Sequence, residues 1–321
     1  MAKFKVLLTD YAWPDLEIEQ ALLSLYDAEI VVAPATDEAT LVSLAPEADA
    51  IMTNWVDVRA PVIDAAANCK IISRLGIGLD CIDVQRATER GILVTNVPDY
   101  CLTEVAEHTL ALLMALARKL HIFQVDARAG RYDLSAGLPL RRIEGRTLGL
   151  IGFGHIGRIV AAKAAALGLN ILATSRTRHE PATGVKLVKL DELLRTSDFV
   201  SLHVPLTDST RKLIDAAALA IMRPTAFLIN TSRGGVIDPD ALATALTSNR
   251  LAGAALDVHD PEPPDLSQPP YTDPRVLVTP HAAFYSEESV AELRRRAAHQ
   301  VGTRLAGGMP EHVVNPSVLP R

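Results

Sequence analysis

Aromatic residues make up only 4% of this 321-residue chain, and cysteine occurs three times. Cys69, Cys81 and Cys101 are too few and too scattered for a disulfide framework or a zinc cluster. They read as reduced thiols of a cytoplasmic protein, with no metal expected. Positive charge is not in excess: 32 Lys and Arg stand against 38 Asp and Glu, a formal charge of −6. Such a surface does not attract a polyanion, so nucleic acid is not expected as a partner. Long apolar runs are absent too. A membrane span needs about 18 uncharged residues, and the richest stretch, 105–117, carries Glu107 and His108. The first ten residues run directly into a strand-like KFKVLLTD, which leaves no room for a signal peptide. The 18 Gly and 20 Pro follow no period, and 49% hydrophobic content is too high for disorder. The length accommodates two domains, each with its own core.

Short apolar runs alternate with helical patterns nearly throughout, which predicts parallel sheets covered by helices. Strands are expected at 6–8, 30–32, 50–52, 71–73 and 93–95, with helical spacing at 16–25 and 62–67 between them. After a break at Asn96-Val97-Pro98-Asp99, residues 104–119 read as one long helix. Its acidic first turn and basic last turn, Arg118 and Lys119, complement the helix dipole. A polar, irregular arm is expected over 121–146, and a helix over 287–305 whose Arg294-Arg295-Arg296 run lies on a solvated face.

Residues 147–151 form a strand pattern, followed by Gly152-Phe153-Gly154-His155-Ile156-Gly157, a helical pattern to 167, and a second strand at 170–174. A Gly-x-Gly-x-x-Gly between strand and helix in such a unit is a dinucleotide signature. Gly152 permits the tight turn, Gly154 lets the backbone approach a pyrophosphate, and Gly157 lets helix and strand pack closely. An NAD site usually ends the second strand with Asp or Glu, which accepts from the ribose 2′-hydroxyl. Here Ser175 stands in that place, with Arg176 and Arg178 just beyond. A guanidinium welcomes a 2′-phosphate, so NADP is favoured over NAD.

Three more segments set polar residues just past apolar strand patterns: Asn230-Thr231-Ser232-Arg233-Gly234-Gly235, Asp257-Val258-His259-Asp260-Pro261-Glu262, and Thr279-Pro280-His281-Ala282-Ala283-Phe284. Open α/β sheets collect their ligands at those strand ends. With these segments, and with Arg74-Leu75-Gly76-Ile77-Gly78-Leu79-Asp80, Glu104-Val105-Ala106-Glu107-His108-Thr109 and Ser201-Leu202-His203-Val204-Pro205-Leu206, the chain resembles the D-isomer-specific 2-hydroxyacid dehydrogenases. Within them it is similar to the branch of C-terminal-binding-protein dehydrogenases.

The resemblance implies a catalytic Arg–Glu–His set on Arg233, Glu262 and His281. Reduction of a 2-keto acid needs a hydride at the carbonyl carbon, a proton at its oxygen and a cation for the carboxylate. His281 suits the proton. Glu262 on the other ring nitrogen would orient it and favour its protonated form, and Arg233 would clamp the substrate oxygens. The resemblance also implies that backbone groups of Ile77 and Gly78 hold the substrate carboxylate with help from Arg74. It sets the nicotinamide near Asp257, with Thr109, His203, Val204, Pro205, Thr231 and Ser232 along the cofactor cleft beside His155 and Ile156. Where related corepressor-type enzymes carry Trp near the histidine, this chain has Phe284, an aromatic wall without an indole N–H. Trp55 is a second candidate wall.

The architecture implied is a Rossmann cofactor domain (99–284) inserted into a flavodoxin-like substrate domain (1–98 and 285–321). Hinges would lie near Pro98 and Tyr285, and a homodimer would form through the long helix and arm. The expected activity is transfer of a hydride between NAD(P)H and a 2-keto acid or D-2-hydroxy acid. Alternatives are a phosphite dehydrogenase or a dinucleotide-gated binding protein of the corepressor kind. A formate enzyme, which places Gln where Glu262 stands, is disfavoured.

Overall fold

The computed structural model describes residues 3–176 and 183–318. The chain divides into two compact units, Met1–Tyr100 with Ser286–Arg321, and Cys101–Tyr285.

The first unit is built on five parallel strands: β1 (Phe4–Leu8), β2 (Ala28–Val32), β3 (Ala50–Thr53), β4 (Ile71–Arg74) and β5 (Leu93–Thr95), in the order β2-β1-β3-β4-β5. Helices α1 (Glu17–Ser24), α2 (Glu38–Leu44), α3 (Ala60–Ala65) and α4 (Val84–Glu89) connect them. The register aligns Leu7, Ile51, Ile72 and Val94 in one row across four strands. That row packs into a core with Leu41, Val62 and Ile63 from α2 and α3. β3 and β4 are buried along their whole length, which is why they read as unbroken apolar runs rather than alternating ones. The C-terminal helix, Glu287–Leu305, belongs to this unit and starts with a capping box between Ser286 and Ser289.

Its arginine run departs from the solvated face expected of it. Arg294 is 6% exposed and donates to Glu19 at 2.8–3.1 Å and to Asp15 at 2.8 Å. The guanidinium also lies over the Trp13 ring. A buried cation is tolerable only when paired, and its partner here lies 275 residues away in sequence.

The second unit holds seven parallel strands: β6 (Thr147–Ile151), β7 (Asn170–Thr174), β8 (Val185–Leu187), β9 (Phe199–Leu202), β10 (Phe227–Asn230), β11 (Gly253–Leu256) and β12 (Val276–Val278). Their order is β12-β11-β10-β9-β6-β7-β8. The chain winds outward from β6 to β8, then crosses back to begin β9 on the other side of β6. That reversal is the switch point where doubly wound sheets bind ligands. Apolar layers cover both faces of the sheet.

Two helices precede β6. α5 (Leu102–Ala117) is followed by α6 (Leu120–Arg128) rather than by an irregular arm. The single helix expected over 104–119 stops early because Lys119 takes a left-handed conformation, φ 54°, which breaks the hydrogen-bond ladder. Phe123 of α6 then packs on Gly137, where any side chain would collide with its ring. Helix α7 (His155–Ala166) starts directly at the glycine turn, earlier than the sequence pattern indicates. No helix among the described residues is long and apolar enough to cross a membrane, and no cluster of His, Cys, Asp or Glu among them could hold a metal ion.

Candidate active site

The ends of β10, β11 and β12 carry a connected set of polar groups. Asn230, fully buried at the end of β10, accepts from the Ser232 amide at 3.0 Å and hydroxyl at 2.8 Å, and donates to the Arg233 carbonyl at 2.9 Å. It thereby shapes the turn that presents Arg233, whose guanidinium donates to the Ser232 carbonyl at 2.7 Å. A Cβ at Gly234 would strike the His259 carbonyl. The β10 turn can therefore lie against the loop that carries Glu262 only because residue 234 has no side chain.

Asp257 follows β11 and is fully buried. Its carboxylate accepts from the Thr279 hydroxyl at 2.6 Å and from the amides of Ala282 and Ala283 at 2.9 and 3.0 Å. His108 of α5 approaches the same carboxylate at 3.4 Å and Thr279 Oγ1 at 3.1 Å. Burial would push this carboxyl up, but these hydrogen bonds outweigh it and hold the pKa at about 2. The amide of His281 donates to the Asp257 carbonyl at 2.7 Å. The whole turn bearing His281, which sits at φ 53°, is clasped around one aspartate.

His281 Nδ1 lies 2.8 Å from Glu262 Oε2, while Glu262 Oε1 accepts from the His259 amide at 2.7 Å. For Glu262, burial raises the pKa, while the bond and charge of His281 and the His259 amide lower it further, so the net shift is downward. An ionised carboxylate only accepts, so Nδ1 carries the proton in this pair and Nε2 becomes the chemically variable nitrogen. Phe284 stands edge-on to the imidazole at 6.1 Å between centroids, with Tyr285 edge-on to Phe284. Arg233, Glu262, His281, Phe284 and Asp257 thus all lie on adjacent strand ends of the second unit.

The β6–α7 turn fits a dinucleotide pyrophosphate. Gly152 has φ 98°, and a Cβ there would hit the His203 carbonyl. A Cβ at Gly157 would come 2.5 Å from the Gly152 carbonyl, whereas one at Gly154 would meet nothing within 4 Å. Gly154 is the N-cap of α7 and has no side chain to accept from the first-turn N–H groups, which leaves them for an anion. His155 is exposed there and Ile156 half-buried.

Ser175 and Arg176 follow β7 and are exposed, and the Arg176 guanidinium donates to Ser209 Oγ at 2.7 Å. Arg178 lies outside the described residues. Thr109 and Thr231 are buried and bonded to each other at 2.9 Å. His203 bonds Ser201 at 2.9 Å, and burial lowers its pKa to about 4. Val204 is half-buried and Pro205 exposed.

Arg74, Ile77 and Gly78 belong to the first unit, at the end of β4. Arg74 is buried and donates to Asn54 Oδ1 at 3.3 Å. The Ile77 carbonyl accepts from Asn96 at 2.7 Å. Trp55, 45% exposed, follows Asn54. Sequence reasoning gave no role to Asn230, Thr279, Asn54 or Asp10, and left His108 as structural or cofactor-adjacent. Asn230 was the most findable of these, as an amide ending an apolar strand.

Comparison with known proteins adds four findings. Residues 110–283 match the family model described as D-isomer specific 2-hydroxyacid dehydrogenase, NAD binding domain. The chain is 39% identical to a hydroxypyruvate reductase of Thermotoga maritima, over 92% of this chain and 95% of that protein. It is 36% identical to a glyoxylate reductase of Aeropyrum pernix, over 99% and 98% respectively. Among solved structures, a D-lactate dehydrogenase of Aquifex aeolicus complexed with NAD and lactic acid superposes with a TM-score of 0.87 at 27% identity, covering 99% of this chain and 100% of that one.

Proposed function

The chain belongs to the D-isomer-specific 2-hydroxyacid dehydrogenases, and from that premise we propose that it reduces short 2-keto acids with His281 as proton donor. It is an oxidoreductase that uses a nicotinamide dinucleotide. The observation that supports the finer reading is the Nδ1–Glu262 bond at 2.8 Å, which fixes the orientation of the ring; in this reading Nε2 serves the substrate oxygen. When bound, the dinucleotide supplies the hydride. Arg233 neutralises the substrate carboxylate and the charge that develops on the carbonyl oxygen. Backbone groups of Ile77 and Gly78, with Arg74, hold the carboxylate from the first unit. Asp257 keeps the His281 turn rigid and borders the nicotinamide, beside Thr109, His203, Val204, Pro205, Thr231 and Ser232. The amides of the Gly154–Gly157 turn take the pyrophosphate. In the reverse direction His281 accepts the proton from a D-2-hydroxy acid.

NADP is the favoured cofactor. Residues 175–178, just past β7, include no carboxylate, and Arg176, which donates to Ser209, supplies the cation that a 2′-phosphate would need. The active form is a homodimer: Leu120, Val125, Leu134 and Leu138, which follow α5, are 56–68% exposed and supply an apolar contact surface. The three cysteines are buried and form no disulfide, in keeping with a reducing cytoplasm.

The test is a panel of glyoxylate, hydroxypyruvate, pyruvate and phenylpyruvate assayed with NADPH and NADH in parallel. Turnover lost in a folded Arg233→Ala variant, with NADPH preferred about tenfold or more (roughly 1.4 kcal/mol), is the expected result. A preference for NADH would overturn the NADP reading alone. Turnover of phosphite but of no keto acid would overturn the substrate class.

A further inference from the structure

A cavity of about 260 Å³ opens in the second unit at the N-terminal ends of its strands. Arg146 precedes β6, Phe199 begins β9 and Phe227 begins β10, so the cavity lies at the opposite edge of the sheet from Asn230, Asp257 and His281. Its lining divides by chemistry. Phe199 and Phe227, stacked with ring centroids 5.7 Å apart, form an apolar wall together with Pro224. Lys119, Arg141 and Arg146 supply three cations, and no carboxylate among the described residues lines the cavity.

These cations are short of counter-charge. Arg146 lies 3.5 Å from Asp198, whose carboxylate also accepts from Arg223 at 3.2 Å and from the Thr147 amide at 3.0 Å. Lys119 and Arg141 make no ion pair among the described residues. The Lys119 ammonium lies over the Phe227 ring, 5.1 Å from its centroid, on a half-buried residue. Burial, and then the charge of Arg275, lower its pKa, and Arg275 is itself committed to Asp273 at 2.6 Å. A cation held against an apolar wall beside like charge is stabilised by an anion from outside the chain. The backbone gives a second sign. Lys119 takes φ 54° between α5 and α6, a conformation that Gly or Asn adopts more readily, yet the position carries a long cationic side chain.

We propose that this cavity binds a small aromatic carboxylate, its ring against Phe199, Phe227 and Pro224 and its carboxylate between Lys119 and Arg141. Size sets the first limit. Pockets for drug-sized ligands begin at about 300 Å³, so a single ring fits here and a nucleotide does not. Charge sets the second, because Asp198 behind Arg146 repels a further negative charge and favours a monoanion over a phosphate ester. The apolar wall sets the third: a ring gains from contact with it, and a bare phosphate does not. None of the lining residues has a role in catalysis or in cofactor binding, so occupancy here is independent of the functional reading.

The test titrates benzoate into the whole chain by isothermal calorimetry, with nicotinamide dinucleotide at saturation and with benzamide and inorganic phosphate as comparison probes. One benzoate is expected to bind saturably per chain, and benzamide and phosphate each about tenfold more weakly or worse. Lys119→Asn, which suits the left-handed backbone, should weaken benzoate about tenfold, and Arg141→Gln, at an exposed position, should weaken it several-fold. Arg233→Ala should leave benzoate binding unchanged. Absence of saturable binding, benzamide bound as tightly as benzoate, phosphate bound more tightly, or benzoate lost in Arg233→Ala but kept in Lys119→Asn would each overturn this inference. Dissociation of the protein by Lys119→Asn in sedimentation would overturn it too, because the cavity would then be filled by a second copy of the chain.

Discussion

The strand ends of the two units are finished in different ways. In the second unit most of the polar groups consume one another: Asp257 is saturated by Thr279 and two amides, both oxygens of Glu262 are taken, and Asn230 is used at each end of its amide, with His259 Nδ1 the unpartnered exception in these loops. In the first unit Asp10 is equally well used, yet the side chains it helps to position, Asn54 and Arg74, retain unpaired buried donors. A group that must act on a proton at one fixed atom gains from a frame that is complete without ligand. A group that must recognise a ligand stores its hydrogen-bonding capacity until the ligand arrives. The difference assigns chemistry to the second unit and recognition to the first.

The largest expected effect comes from breaking the finished side at its reactive atom. His281→Asn should lower kcat by about 10³-fold, within the range for loss of a general acid, while the melting temperature stays near that of the wild type. Glu262→Gln should cost less, because the ring keeps an acceptor but loses a charge partner. Steady-state kinetics beside a thermal melt checks both. A His281→Asn enzyme within tenfold of the wild type would remove the proton-donor role.

How much of this could be read from the sequence depends on distance along the chain. The glycine turn, the alternation of strands and helices and the polar residues past each strand are local patterns, and the sheets follow from them. Groups whose partners are remote were illegible. Nothing local in Arg294 announces Glu19, and nothing in Asp10 announces the amides of Asn54 and Trp55, 44 and 45 residues on. His108 reads as one polar residue of an apolar helix until α5 brings it beside Asp257. The irregular arm failed for a related reason: whether α5 stops at residue 117 or runs on is decided by the backbone of Lys119, which no side-chain periodicity encodes.

The next effect sharpens the comparison through stability. Asp257 has its carboxyl lowered from 3.8 to about 2. The folded state therefore holds this proton less tightly than the unfolded chain. The stabilisation is complete above about 4 and fades as the pH falls towards 2. Two pH units correspond to about 2–3 kcal/mol, and Asp257→Asn should forfeit a similar amount at neutral pH. Chemical denaturation at pH 7 and pH 3 measures both. A variant as stable as the wild type at pH 7 would mean that the clasp around His281 carries no energy.

His203, past β9, gives an effect of similar size in another window. Burial lowers its pKa from 6.5 to about 4. The unfolded chain binds the proton first, so the contribution is full above pH 6.5 and is lost between 6.5 and 4, at about 3 kcal/mol. His203→Gln, which keeps a polar group beside Ser201, should flatten the stability profile across that interval. An unchanged profile would assign the acid sensitivity to another group.

The smallest effect probes how tightly the finished side is closed. His108 reaches Thr279 at 3.1 Å and Asp257 at 3.4 Å, yet 24% of its side chain remains exposed. It is thus a contact of the Asp257 clasp that solvent can replace, unlike the buried amide of Ala283. His108→Gln, which can still donate to Thr279, should therefore cost no more than about 1 kcal/mol of stability, the worth of one ordinary hydrogen bond. His108→Ala should lose that amount and lower kcat several-fold with KM little changed, because the His281 turn is loosened while substrate contacts stay intact. If the loss fell on KM instead, His108 would be acting on a bound molecule rather than on the turn. The second unit would then, like the first, present a group that waits for its ligand.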